Sequence, residues 1–489
     1  MMRRMYTSSV DKATAKEPPL FTVGVQVVLP APMRGFKEIE PSSLDLKAVF
    51  SCIEAQYECK IDIDENGTAI TVRGRNRERA NRAITEIREH LRYEQGGQNI
   101  WRAQFLIHAP RNGTEQFRAS LQSNGGDLGV RPMAVGGSNP ESSTPDGFAA
   151  AEVEYKQELR RALDRTARTL RHDPNAMRMR VQFGKVALDE WKRGKTDYTF
   201  NELQNLVRRI GVRGTGRMMD VVDKKVAKAL KVRLSAADGD LPESVRRYLE
   251  PPAEPAYSLV LETKNLRVET TFELVQAKGR LREKTKPLKQ YTPGPFVAHR
   301  QEKREQKVEV ITSCPESSHD WVLEICKVAS LSDDSSSVPF TVKDLEMNLR
   351  FQGDALEGDF PNIMLSDTFI KAYDIEKVLG KVTWKYTISL QYNLEINLFH
   401  IWGKDTKSPP ITMGGVMLYS DDWDDEMSSS TSQSREWDES FATQFLKPID
   451  EEDGGPGEPG TTQDSLDHFL SWVHWIQRML DDELRDRGD

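Results

Sequence analysis

Long apolar runs are missing from this chain of 489 residues: no stretch approaches the roughly 18 apolar residues that cross a bilayer, and no secretory apolar core follows the first methionines. No membrane partner is expected. Cysteine is scarce too, and Cys52, Cys59, Cys314 and Cys326 form no CxxC pair, which excludes a zinc ribbon and a disulfide framework. A reducing compartment follows, with the cytoplasm as the expected location. The opening Met1-Met2-Arg3-Arg4 looks like a transit peptide, but Asp11 and Glu17 soon interrupt it. Motifs with a stated chemistry are also missing. There is no GxxxxGK[ST], no HExxH and no strand-borne GxSxG, and the eight histidines never fall at metal-ligand spacing. His400, interrupting an apolar face, is the best lone candidate, and a satisfied core histidine is the commoner outcome. The chain reads as a non-enzyme with no cofactor and no metal.

What is present is charge, unevenly placed. The net charge is −8, yet Tyr155 to Leu234 holds 21 Lys or Arg against 9 Asp or Glu, so the rest carries about −20. After Ser420 there are 20 acidic and 5 basic residues. A basic centre with an acidic end points to a polyanion partner, RNA being the natural one, against the plainer reading of two solvated surfaces.

The basic centre is built around residues 177–217. Met177, Met179, Val181 and Phe183 alternate with Arg178, Arg180 and Gln182, which predicts a strand with one apolar and one basic face. Thr199-Phe200-Asn201-Glu202 has capping-box spacing and starts a helix carrying Arg208 and Arg209. That helix is expected to stop in Gly211-Val212-Arg213-Gly214-Thr215-Gly216-Arg217. Free amides beside Arg213 and Arg217 suit phosphate, while a plain connection between helices is the commoner use of such glycines. The nucleic-acid-binding candidates are thus Arg178, Arg180, Arg208, Arg209, Arg213 and Arg217 with Gly211, Gly214 and Gly216. A further helix is expected over Met218 to Val232, with Val222, Val226, Ala229 and Leu230 inward.

The block VQFGKVALDEWKRGKTDYTFNELQNLVRRIGVRGTGR resembles a domain-of-unknown-function family of filamentous fungi, uncharacterised, whose members often carry segments like the K-homology (KH) fold upstream. The likeness spans about Glu152 to Trp402 and implies no activity.

Upstream, Phe21, Val23, Val25 and Val27 alternate as a strand, and Leu46, Val49, Phe50, Ile53 and Tyr57 mark a helix. Strands at 60–64 and 68–73 flank Asn66-Gly67, and Ala80, Ala83, Ile84, Ile87 and Leu91 stripe a second helix. The order strand, helix, strand, strand, helix resembles a KH domain. Where such a domain grips the backbone through GXXG, this chain has PSSLDLK, so RNA affinity is expected in the basic centre instead. Arg73, Arg75, Arg77, Arg79 and Arg82 read as a solvated face.

Beyond residue 255 the period turns to two. Between Trp384 and Trp402 every even position but His400 is apolar, which at about 3.3 Å per residue is too long for one strand and predicts a bend near Tyr392-Asn393. At the end, Leu466, Phe469, Leu470, Val473, Ile476, Met479, Leu480 and Leu484 stripe a helix widened by Trp472 and Trp475. That helix either docks on its own body or enters a partner's groove; for the latter, Phe469, Trp472, Trp475 and Ile476 are the contacts. The expected fold is α+β: a disordered start (1–19), a divergent KH-like β-α-β-β-α unit (20–110), a linker (111–151), a basic helical and strand segment (152–255), a mostly β antiparallel domain (256–404), a disordered acidic tail (405–463) and an amphipathic helix (464–486). The expected function is RNA binding, with a non-enzymatic scaffold recruiting a protein partner as the alternative.

Overall fold

The computed structural model describes residues 23–28, 46–63, 69–95, 103–110, 114–124, 129–135, 145–170, 177–189, 191, 195, 197–213, 215–236, 241–250, 255–263, 266–276, 289–300, 307–327, 340–352, 360–403, 406–428, 440–447, 456 and 464–485. The PSSLDLK stretch up to Asp45, Gly214, and the side chains of Leu91 and Arg213 lie outside them. So do residues 280–288 and 301–306, the serine-rich 429–434 and, Pro456 apart, the acidic 450–460. The chain divides into two compact units. Of the described residues, the first takes 23–95, 161–170 and 440–444, and the second takes the remainder.

In the first unit, strand β1 (Val23–Val28), helix α1 (Leu46–Tyr57), strands β2 (Cys59–Ile63) and β3 (Ala69–Gly74) and helix α2 (Arg77–Gln95) follow in the expected order. The strands form an antiparallel sheet in the order β1-β3-β2. The apolar stripes meet as predicted: Phe50, Ile53, Ile70, Val72, Ala80, Ala83, Ile84 and Ile87 make one buried cluster with Cys59. Asn76 caps α2 by accepting from the Arg79 amide at 2.8 Å. The arginine row is partly paired, Arg73 with Asp62 at 3.4 Å and Arg82 with Glu78 at 3.1 Å, on an exposed face.

The second unit opens with strands β4 (Ala103–Ile107), β5 (Arg118–Ser123) and β6 (Val130–Ala134), and most of helix α3 (Pro145–Leu170) belongs to it. Then come β7 (Met177–Leu188), β8 (Tyr198–Thr199), α4 (Phe200–Arg213), β9 (Gly216–Met219), α5 (Lys224–Ala236) and α6 (Glu243–Tyr248). Strands β10 (Ala256–Thr263), β11 (Leu266–Gln276), β12 (Lys289–Arg300), β13 (Lys307–Ser313) and β14 (Asp320–Lys327) follow. After α7 (Val342–Asn348), β15 (Leu349–Gln352), β16 (Asn362–Leu365) and α8 (Asp367–Ala372) come β17 (Ile375–Thr387), β18 (Asn393–Trp402) and β19 (Ile411–Tyr419). The chain ends in α9 (Asp421–Ser428), α10 (Phe441–Phe445) and α11 (Ser465–Arg485).

The main sheet runs β12-β11-β10-β17-β18-β19-β7-β14-β13-β4, antiparallel except for the parallel pair β13 and β4. Cα atoms of β7 and β13 come within 8 Å of each other across β14, closer than the roughly 9.6 Å of two flat strand spacings, so the sheet folds sharply there. The predicted bend is a hairpin: β17 and β18 pair over ten positions, and the Ser389 hydroxyl accepts from the Gln391 and Tyr392 amides at 3.1 and 2.9 Å. From Met177 to Phe183 the odd residues of β7 pack inward and the even ones form a polar face, as the alternation requires; beyond that the pattern breaks, with Lys185 exposed and Val186, Ala187 and Leu188 buried.

Three expected boundaries move. The strand expected to close the N-terminal unit is β4, which joins the second unit, where its backbone groups pair with β13. The expected linker holds β5 and β6, a hairpin whose Val130 pairs with Leu188 of β7. The expected acidic tail holds β19, an inner strand between β18 and β7, because its backbone completes both ladders whatever the acidity of its flanks.

Candidate functional site

The even face of β7 starts as a basic row but does not stay one. Arg180 lies across from Glu324, and its guanidinium makes a two-point pair with Asp424 of α9, 2.7 Å at each nitrogen, 4.3 Å over the Tyr419 ring. Arg178, more exposed, places Nε 3.2 Å from the Cys326 sulfur. Beside them the polar face is charge-balanced: Lys307 touches Glu309 and Glu324 at 2.9 and 3.0 Å, and Lys381 touches Glu395 at 3.1 Å. Thr383 and Asn397 continue the polar row with a 2.7 Å bond.

Of the other predicted cations, Arg208 and Arg217 are also paired. The Thr199 and Glu202 capping box forms, and Lys195 holds Glu202 at 2.7 Å. The Lys195 hydrogen bond, then the Thr199 amide, keep the Glu202 carboxyl down at about 2. On α4, Arg208 pairs with Glu158 of α3, and Arg209 is exposed. Arg217 pairs with Asp189 through contacts of 2.9 and 2.7 Å. Among the expected phosphate contacts, Arg180, Arg208 and Arg217 therefore already face carboxylates.

Neither Gly211 nor Gly216 stands in an open cradle. The helix expected to stop at Gly211 runs on through Arg213, and Gly216 opens β9, which pairs with residues 185–188 of β7 and displaces the expected helix start to Lys224. A Cβ at Gly216 would stand 2.6 Å from Ile210 and 3.1 Å from the Phe105 ring, and one at Gly211 3.3 Å from Phe105. Close packing leaves no room for a side chain at Gly216 and little at Gly211.

On α5 the charge stays outward. This helix carries Lys224, Lys225, Lys228, Lys231 and Arg233 and no acidic residue, while Val226, Ala227, Leu230 and Leu234 are buried. Lys231 reaches toward the Trp384 ring and Arg233 toward Glu483 at 3.7 Å, which leaves Lys224, Lys225 and Lys228 on the exposed side. The signal for these lysines in the sequence is a helix whose own residues include five cations and no acid.

The C-terminal stripe faces inward. Phe469, Trp472 and Ile476 have no exposed surface and Trp475 has 5%, so the residues expected to meet a partner lie inside the second unit. Phe469 stands edge-on to Trp321, and Trp472 lies beside Tyr392. His400 is also interior, 7% exposed between Phe360 and Trp402.

A buried polar hub holds α11 and had no signal in the sequence. Arg131 of β6 binds Asp320 of β14 through two contacts and donates to the Ser317 and Ser318 carbonyls at 2.9 and 2.8 Å. Asp320 also accepts the Val186 and Cys314 amides, both at 2.7 Å. Burial would lower the Arg131 guanidinium, and Asp320 more than reverses it. One turn of chain away, Asp481 of α11 accepts from the Ser317 hydroxyl at 2.6 Å and lies 2.9 Å from His319 Nδ1. Serine, histidine and aspartate are present, but the serine hydroxyl bonds the carboxylate and not the imidazole, which is not the order of a Ser-His-Asp triad.

Among the described residues, no group of three or more His, Cys, Asp or Glu is placed to hold a metal, and no helix is long and apolar enough to cross a membrane. The sequence model of a family described as a domain of unknown function, DUF7905, matches residues 143–446. No curated protein matches the chain. Among solved structures, the chain is similar to the S. pombe Pct1 RNA triphosphatase in complex with the Spt5 CTD, at 11% identity over 56% of this chain and 80% of that one, TM-score 0.30. It is similar also to a second structure of the S. pombe Pct1 RNA triphosphatase, at 11% identity, the same coverage and a TM-score of 0.28.

Proposed function

The chain belongs to the DUF7905 family, and from the lysines that α5 exposes we propose that it is a non-enzymatic RNA-binding protein that grips the phosphate backbone through that helix. The observation that carries this is the acid-free helix with Lys224, Lys225 and Lys228 on its exposed side. A polyanion laid along that face gains counterion release. The first unit, KH-like in its element order alone, is a secondary contact in this reading. Cys59, Cys314 and Cys326 are free thiols, which supports a reducing location and, with it, the cytoplasm.

The test is a salt titration of single-stranded RNA binding to the full chain by fluorescence anisotropy. Each lost phosphate contact reduces the slope of log affinity against log salt by about 0.7, so Lys224→Ala with Lys225→Ala and Lys228→Ala is expected to lower it by about 2. Arg180→Ala, whose guanidinium is held by Asp424, is expected to leave the slope unchanged. An unchanged slope in the triple variant, or no RNA binding by the wild type, overturns the proposal.

A further inference from the structure

A cleft of about 550 Å³ opens between the end of β4, α3, the turn joining β13 to β14, and α11, all within the second unit. Its size falls in the roughly 300–1,000 Å³ range of small-molecule sites. Its apolar wall is Phe117, Ala109 and Pro315, and imidazole rings of His108 and His474 meet edge to face there with centroids 4.8 Å apart. Tyr155, buried, stands edge-on to His108 at the same 4.8 Å.

The charged groups of the lining are mostly spent on one another. Asp481 takes the Ser317 hydroxyl, the Ser318 amide and His319. Lys156 is held by Asp467 at 2.8 Å and by Glu152 at 3.5 Å, and Glu152 lies 4.0 Å from His108. Glu316 is half-buried and engaged. Arg478 is different: exposed on α11, it lines the cleft, and no carboxylate of the described residues pairs with it. The surrounding walls are pinned by the Arg131–Asp320 and Asp481 bonds, so the shape exists before a ligand arrives.

We infer that this cleft binds a small molecule with a planar apolar body and one anionic group, the body against Phe117, Pro315 and the two imidazoles and the anion on Arg478. An arginine fork suits a carboxylate or sulfonate, and edge-on imidazoles suit an aromatic face. This site is separate from α5 and stands whether or not RNA binds there.

The probes are 8-anilinonaphthalene-1-sulfonate and its uncharged analogue N-phenyl-1-naphthylamine, titrated into the folded full chain by fluorescence. The sulfonate is expected to bind at one site about tenfold to a hundredfold more tightly than the neutral analogue, as a charge-assisted bond at Arg478 requires. In Arg478→Ala that preference is expected to vanish with the melting temperature unchanged, because the side chain is exposed. Ser471→Trp, filling the half-buried α11 side of the cleft, is expected to exclude both probes. The inference is overturned if the neutral analogue binds the wild type as tightly as the sulfonate, if the preference survives in Arg478→Ala, or if the wild type binds neither.

Discussion

Arg131 and Asp320 stand 189 residues apart in sequence and form a two-point ion pair in the interior, Nε to Oδ2 at 2.6 Å and Nη2 to Oδ1 at 2.9 Å, with side chains 5% and 0% exposed. Both groups are otherwise satisfied by backbone: Asp320 by two amides and Arg131 by carbonyls of the β13 to β14 turn. A pair of this kind gains little over apolar replacements, yet breaking it leaves a charge without water or partner.

Removing one member is therefore the damaging change. Arg131→Met is expected to cost about 3–5 kcal/mol, and adding Asp320→Asn to recover part of it, since the amide oxygen still accepts one backbone N–H. Urea unfolding followed through the buried Trp321 measures both; an additive double variant would mean that the pair does not act as a unit.

Docking of α11 has a similar test. Phe469 is fully buried against Trp321 and Trp423, so Phe469→Ala is expected to cost about 3–5 kcal/mol, and Phe469→Asp with Ile476→Asp to detach the helix or unfold the unit. Limited proteolysis and thermal melting read the result. Unchanged melting in the Asp variants would place the stripe at a surface instead.

These two cases mark how far the sequence could be read. The alternating face of β7, the capping box at Thr199, the hairpin between β17 and β18 and the apolar stripes of α2 and α11 are local patterns, and each formed where its spacing put it. β19 was lost because acidic flanks and Gly414-Gly415 weaken the strand signal; the fold needs those glycines, since a Cβ at Gly414 would meet Ala227 at 2.6 Å and one at Gly415 the Phe399 ring at 2.7 Å. The partners of the arginines were illegible for a physical reason: the sequence counts cations, while Asp424, Glu158 and Asp189 arrive from other elements to meet Arg180, Arg208 and Arg217. The partner of Arg131 lies on a strand that no local period connects to it.

Thiol reactivity is expected to follow burial. Burial first, then Glu54, pushes the Cys59 thiol up to about 11, and burial, then Asp320, raises Cys314 further. Cys326 is only half-buried. Iodoacetamide labelling near pH 8, read by mass spectrometry, is expected to reach Cys326 before Cys59 and Cys314. A thiol raised in the folded state also means that stability falls as pH climbs above the unfolded value of about 8.5. Labelling of Cys314 ahead of Cys326 would contradict this packing.

Lys307 gives the sharpest pH dependence. Glu309 and Glu324 lie directly across from each other on β13 and β14, with side chains 13% and 11% exposed, and Lys307 bridges them. Burial alone would lower the ammonium, but Glu324 and then Glu309 hold it above its usual value, so its stabilising contribution is full below about pH 10 and lost only above. Burial lifts the Glu309 carboxyl, and Lys307 is the group that most opposes this. In Lys307→Met the two carboxylates face each other uncompensated at neutral pH, an expected loss of about 1–3 kcal/mol, moderated because the lysine is a third exposed. As pH falls Glu309 takes up a proton and the repulsion fades, so the gap in urea midpoint between wild type and variant is expected to narrow from pH 7.5 to pH 4.5. Glu324→Gln in the same background is expected to close the gap at pH 7.5. A gap that stays constant across that range, or one that Glu324→Gln leaves in place, would show that Lys307 contributes through packing of its methylenes and not through the paired carboxylates.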